Sequence, residues 1–71
     1  MKCQLIIEGL PDKQMFYDHC FQSMICRRWH DGTLHAIYHT KQYAREDAAD
    51  LKRHHPSIKA TLTTDFFGWV L

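Results

Sequence analysis

Six histidines and three cysteines in 71 residues are the side chains best able to do chemistry here, and a shared metal ion is the first chemistry they suggest. Spacing decides whether they can share one. His35 and His39 have the H-x3-H interval that chelates a zinc ion from a helix, but four residues of strand span about 13 Å. Zinc holds each ligand nitrogen at about 2.0–2.1 Å, so a strand carries this pair too far apart for one ion. Cys26 and His30 fail in the same way if their segment is a hairpin strand. His19 and Cys20 are sequence neighbours, as are His54 and His55, and neighbouring side chains point apart on a regular element. A composite site joining Cys20 or Cys26 to a histidine is what remains of the metal-binding alternative.

Nucleophilic catalysis would need a cysteine with a lowered pKa beside a histidine and an orienting acid. Cys20 falls on an apolar helical stripe, where a thiol behaves as a small core residue. His30-Asp31 has the form of the HD pair of metal phosphohydrolases but sits at a turn, without the further His and Asp ligands such sites need. No phosphate-cradling glycine loop, GxSxG elbow or HExxH motif occurs. The expectation is a protein without enzymatic activity and without a cofactor.

Nucleic-acid binding has two supports, the Arg27-Arg28-Trp29-His30 run and the Lys52 to His55 cluster, each able to contact phosphates. Both also have structural explanations, the second because cations are favoured in the last turn of a helix. A sheet that reads single-stranded RNA stacks bases on outward aromatic residues. The outward positions here are Gln4, Ile6, His35 and Ile37, so the stacking platform is missing. Nine Lys and Arg against eight Asp and Glu give a net charge of +1, too little for a strong field toward phosphate or anionic lipid.

These residues must be positioned by elements legible in the local periodicity. Residues 2 to 8 alternate as a strand, with Cys3, Leu5 and Ile7 on one face and Lys2, Gln4 and Glu8 on the other, although Ile6 breaks the polar face. Pro11 or Asp12 can open a helix, and Tyr17, Cys20, Phe21, Met24 and Ile25 have helical spacing, which predicts a helix over roughly 12 to 24. A strand ending in Arg27-Arg28-Trp29 competes for its second half.

Asp31-Gly32 predicts a two-residue hairpin, because Asp-Gly tolerates the positive φ that the turn demands. Pairing then runs His30 with Thr33, Trp29 with Leu34, Arg28 with His35, Arg27 with Ala36, and Ile25 with Tyr38. Ile25, Trp29, Leu34, Ala36 and Tyr38 face the core, with Arg27 anomalous near a strand edge. Arg28, His30, Thr33, His35, Ile37 and His39 face solvent. Thr40 caps a helix over 41 to 55 whose stripe is Ala44, Ala48 and Leu51, and Pro56 ends it. Ser57 to Thr64 alternates as a last strand with Ile58, Ala60 and Leu62 inward. Phe66 to Leu71 is mostly apolar, and either continues as a final strand over the core or presents an adhesive surface through which the chain forms a homodimer.

The assembled expectation is a single α+β domain over 1–71. It has a four-stranded antiparallel sheet with one or two helices packed on one face, in the ferredoxin-like βαββαβ order. The runner-up replaces the first helix with more strand. Both leave the other sheet face partly open, with Gln4, Arg28, His35, Lys59 and Thr61 on it. An odd cysteine count without CxxC spacing suits a reducing compartment, and no stretch is long and apolar enough for a signal peptide or membrane span. The expected location is the cytoplasm.

In outline the chain resembles the small accessory proteins of bacteriophages, including anti-CRISPR and other host-inhibitor proteins. The likeness lies in a short aliphatic opening strand, a compact alanine-rich helix (Ala44 to Leu51) followed by a strand, and the lack of a catalytic motif. It implies a non-catalytic module that binds and blocks a host or defence protein stoichiometrically. The residues singled out for such binding are Arg28, His35 and Lys59 on the open face, then Phe67 and Trp69 near the terminus; arginine and tryptophan are frequent hot spots.

Overall fold

A computed structural model describes residues 1–20, 22–30, 32–66 and 69. Six elements follow in the order strand β1 (Cys3–Glu8), helix α1 (Lys13–His19), strands β2 (Met24–His30) and β3 (Thr33–Tyr38), helix α2 (Lys41–His54) and strand β4 (Lys59–Thr63). The strands form one sheet in the order β2-β3-β1-β4. Each neighbouring pair is antiparallel. The expected α+β architecture of a four-stranded antiparallel sheet with helices on one face is therefore present, with two helices.

Alternation along the strands makes that face. Cys3, Leu5 and Ile7 of β1 and Leu34, Ala36 and Tyr38 of β3 form one buried cluster with Phe16 of α1 and with Ala44 and Leu51 of α2. Trp29, Ala60 and Leu62 pack on its margins from the edge strands. Removing a wholly buried aromatic such as Phe16 costs about 3–5 kcal/mol. That is comparable to the whole net stability a domain of this size can hold.

Both helices start on the side chains whose chemistry suits the position. Asp12 accepts a hydrogen bond from the Gln14 N–H at 2.9 Å, and Thr40 Oγ1 accepts one from the Tyr43 N–H at 3.1 Å. Helix α1 is nonetheless shorter than the periodicity over 12 to 24 predicts. It ends at His19, and Cys20 is already extended with φ −114° and ψ 102°. The cause is a competing acceptor. The Gln22 N–H, which a continuing helix would give to the carbonyl four residues back, goes to the Asp47 carboxylate at 3.2–3.3 Å. Beyond it, the Met24 to Trp29 run joins the sheet, with Met24 and Trp29 packing against the core. Phe16, which the predicted stripe omitted, is the buried residue of α1.

The β2–β3 hairpin pairs His30 with Thr33, Trp29 with Leu34, Arg28 with His35 and Arg27 with Ala36, and Gly32 has φ +76°. The register then departs from expectation. Met24, not Ile25, pairs with Tyr38, because a bulge lies between Met24 and Cys26. Ile25 is the extra residue and is left 41% exposed, so it is not part of the core face. Bulges of this kind disrupt an edge strand and discourage pairing with another chain. Arg27, the anomaly on the core side, lays its guanidinium over the Tyr17 ring at 4.3 Å while remaining exposed.

The second departure sets the functional geometry. Gln4 and Ile37, assigned to the solvated face, are 0% and 1% exposed, and Ile6 is buried as well. Five consecutive residues of β1 are buried, because this strand is central and covered on both sides. Trp69 contributes to the outer cover, as described below. Of the Phe66 to Leu71 run, the described residues Phe66 and Trp69 are half-buried and form no strand, so a final strand over the core is not what they make. Phe67 lies outside the described residues, as does Asp31 of the predicted turn.

Candidate functional site

The outer sheet face is built in rows by the strand register. One row runs Lys59, Glu8, Thr33, His30, the next Thr61, Ile6, His35, Arg28, and the third Thr63, Gln4, Ile37, Cys26. At the centre of this face Gln4 joins three partners. Its Nε2 donates to the Asp65 carbonyl at 2.8 Å, and its Oε1 accepts from Trp69 Nε1 at 2.7 Å. His35 Nδ1 lies 3.1 Å from the same Oε1.

These partners fix orientations that heavy-atom positions alone would leave open. An indole N–H only donates and a backbone carbonyl only accepts, so the Gln4 amide can point one way. Its oxygen then requires a donor from His35, which places the neutral imidazole's proton on Nδ1 and leaves the Nε2 lone pair unprotonated. Burial first, then the positive charges of Arg28 and His30, hold His35 below its ordinary 6.5, opposed by Glu8.

Arg28 lies directly across the β2–β3 pair from His35. Its guanidinium is stacked over the Trp69 ring at 4.4 Å. A stacked guanidinium keeps its N–H groups in its own plane, clear of the ring, where a carboxylate or phosphate can take them in pairs. Arg28, Trp29, His30 and His35 together line a cleft of about 350 Å³. Of the residues singled out for binding, Arg28, His35 and Trp69 are thus brought together. Lys59 stands apart on the far edge strand, paired with Glu8 at three strand spacings, about 14 Å, from β2. Gln4, which holds the three together, was missed by the sequence reading, and no local signal marks it because its partners come from more than thirty residues away.

Two other polar clusters lie on the helical side. Asp47 of α2 is 3% exposed, among the small residues of the helix stripe. Tyr38 Oη donates to its Oδ2 at 2.7 Å, and the Gln22 N–H donates to both carboxylate oxygens. Burial, and then the hydrogen bond to Asp47, push the Tyr38 hydroxyl far above its usual range. Burial and then the Asp47 charge push the Cys20 thiol from 9.0 to about 12. Cys20 therefore stays a protonated core thiol at neutral pH, the opposite of an activated nucleophile.

The other cluster joins the ends of the helices. The His19 ring stacks on His54 at 3.9 Å, with the planes 17° apart, and meets His55 edge-on at 5.7 Å. The neighbours His54 and His55 thus reach the same third ring, which their adjacency in sequence did not suggest. Stacked imidazoles send their lone pairs out in parallel planes, not toward a common point. Among the described residues, no group of three or more His, Cys, Asp or Glu is arranged to hold a metal ion.

Fold and site together define a small α+β domain whose outer sheet face carries Arg28, Trp69 and His35 ordered around Gln4. Comparison of the chain with family models, with curated proteins and with solved structures finds no match.

Proposed function

We propose that this chain is a non-catalytic protein-binding module that captures a partner stoichiometrically through its outer sheet face. One observation carries the reading: Arg28 is held on Trp69, and Trp69 is held through Gln4 to His35. An exposed arginine and a half-buried indole fixed before binding lose little freedom when a partner arrives, which is how hot-spot residues gain affinity. The likeness to small phage accessory proteins of the anti-CRISPR kind supports an inhibitor of a host or defence protein. Three free thiols at Cys3, Cys20 and Cys26 favour a reducing compartment, hence the cytoplasm. Among the described residues, no helix is long and apolar enough to cross a membrane.

The test is affinity capture with the immobilised chain from a host lysate, run beside Arg28→Glu. One stoichiometric protein should be retained by the parent chain and lost by the variant, whose strand amide resonances should show the fold intact. Equal capture by both, or retention of no protein, overturns the proposal. A homodimer through the apolar Phe66 to Leu71 run is the other protein contact proposed, and light scattering at increasing concentration reads it directly, with a persistent monomer ruling it out.

A second reading, binding of single-stranded nucleic acid, is favoured by Trp69, which brings to the outer face the aromatic ring its strands lack. A salt-dependent gel shift with a single-stranded oligonucleotide separates the two readings.

A further inference from the structure

The Arg28–His35 cleft is built for a narrower ligand than a protein surface requires. We propose that it is a binding site for a tetrahedral oxyanion, a phosphoryl group in particular, and that occupancy is coupled to proton uptake by His35. The proposal does not depend on capture of a protein partner.

Geometry supplies the first half. Arg28 and His35 are cross-strand partners on the same face, where directly opposed side chains begin about 5 Å apart, so both reach a single bound ion. Their heads border one cleft, and His30 stands at its rim, one row away toward the hairpin turn. Arg28 is confined by the Trp69 ring and His35 by Gln4, so neither must be ordered when an ion binds.

The second half follows from the tautomer. With Nδ1–H committed to Gln4 Oε1, only Nε2 is left to meet a ligand, and in the neutral ring it is a lone pair that repels an anion's oxygens. Protonation turns the same atom into a charged donor without moving the ring, because Nδ1–H keeps its acceptor. The charged groups facing His35 are Arg28 and His30 from β2 and Glu8 from β1. In the empty cleft Arg28 and His30 oppose the imidazolium. A dianion between them reverses that balance, so binding raises the His35 pKa and lower pH strengthens binding.

Sulfate is a suitable probe, since its charge stays constant across the range where histidine titrates. The His35 pKa is measured by imidazole NMR on the full chain, in sodium chloride and in sodium sulfate of equal ionic strength, with exposed His39 as internal reference. The expected result is an upward shift at His35 of about half to one unit, with His39 unmoved. By linkage, sulfate then binds about three- to tenfold more tightly below the free His35 pKa than at pH 8.

Arg28→Gln should abolish the shift while the strand amide resonances stay in place. His35→Gln should weaken the pH dependence of sulfate affinity, and an undiminished dependence in that variant overturns the coupling to His35. An unchanged His35 pKa in sulfate, an equal shift at His39, or a shift retained in Arg28→Gln overturns the proposal. Adenosine monophosphate and O-phosphoserine, titrated beside sulfate at pH 7.5, separate the sources of the phosphoryl group: tighter binding of the first assigns a nucleotide, and of the second a phosphorylated side chain. Failure of both to displace sulfate removes the phosphoryl assignment.

Discussion

Replacing Gln4 with leucine tests whether this one side chain organises the outer face. The substitution keeps the approximate volume of a fully buried residue and removes the contacts to Asp65, Trp69 and His35 together. A polar group left buried and unpaired costs about 1–3 kcal/mol. Trp69 and His35 are only half-buried and Asp65 is exposed, so these groups can recover water if the C-terminal segment lifts away. Lifting caps the penalty, and the apolar gain of the leucine itself offsets part of it, so the net loss is about 1–2 kcal/mol. In a domain of this length that lowers Tm by about 4–16 °C. Thermal unfolding by circular dichroism reads the loss, and the indole N–H resonance of Trp69 reads its cause: it should move and exchange with solvent faster. A Tm within about 2 °C of the parent, with that resonance unchanged, would refute the central role of Gln4.

Three further outcomes follow from the same structure. Iodoacetamide at pH 8 should modify half-buried Cys26 and spare Cys20, whose thiol at about 12 is almost wholly protonated; mass spectrometry showing Cys20 alkylated first would contradict its burial. His35, held below its ordinary value in the fold, binds a proton less readily than in the unfolded chain, so its stabilising contribution is full above about pH 7 and declines as pH falls through 6.5 toward the folded value. Urea unfolding at pH 7.5 and 5.5 should accordingly show a smaller pH-dependent loss in His35→Gln than in the parent. Asp47→Ala strands the Tyr38 hydroxyl and the Gln22 N–H, at a cost of about 2–5 kcal/mol, so its melting midpoint should fall well below that of the parent; a cooperative transition at the parent midpoint would show that these bonds contribute nothing.

Elements governed by near neighbours were legible in the sequence. Thr40 and Pro56 bracket α2 because capping and chain-breaking act within a turn, and four hairpin pairs follow from a two-residue loop. Two of the failures share one cause, a partner distant in sequence, and the third is a local bulge. The periodicity from Tyr17 to Ile25 gave no sign that Asp47 would take the Gln22 N–H and end the helix early. The bulge at Ile25 moves Met24 into the place assigned to its neighbour, a one-residue shift that alternation alone cannot resolve. Gln4 looked like a solvated strand position because the segment that covers it lies more than sixty residues along the chain. The candidate site was half legible: Arg28 and His35 followed from the hairpin register, whereas their union with Trp69 depended on that same distant cover.

The two faces of the sheet divide stability from recognition in a way that makes the site open to test. The inner face is held by apolar burial, which is non-directional and spread over a dozen side chains of β1, β3, both helices and their connections, with β2 and β4 packed at its margins. The outer face is held by a few directional bonds at Gln4, and the Arg28 and His35 side chains of the cleft project from edge strand β2 and central strand β3, away from that core. Loss of Arg28 removes a guanidinium that is already exposed, so its effect on folding should be small, within about 0.5 kcal/mol. A binding defect in an Arg28 variant therefore reports on the cleft and not on the fold, whereas a defect in a Gln4 variant reports on the positioning of Trp69 and His35. Comparing the two separates the contact itself from the arrangement that prepares it.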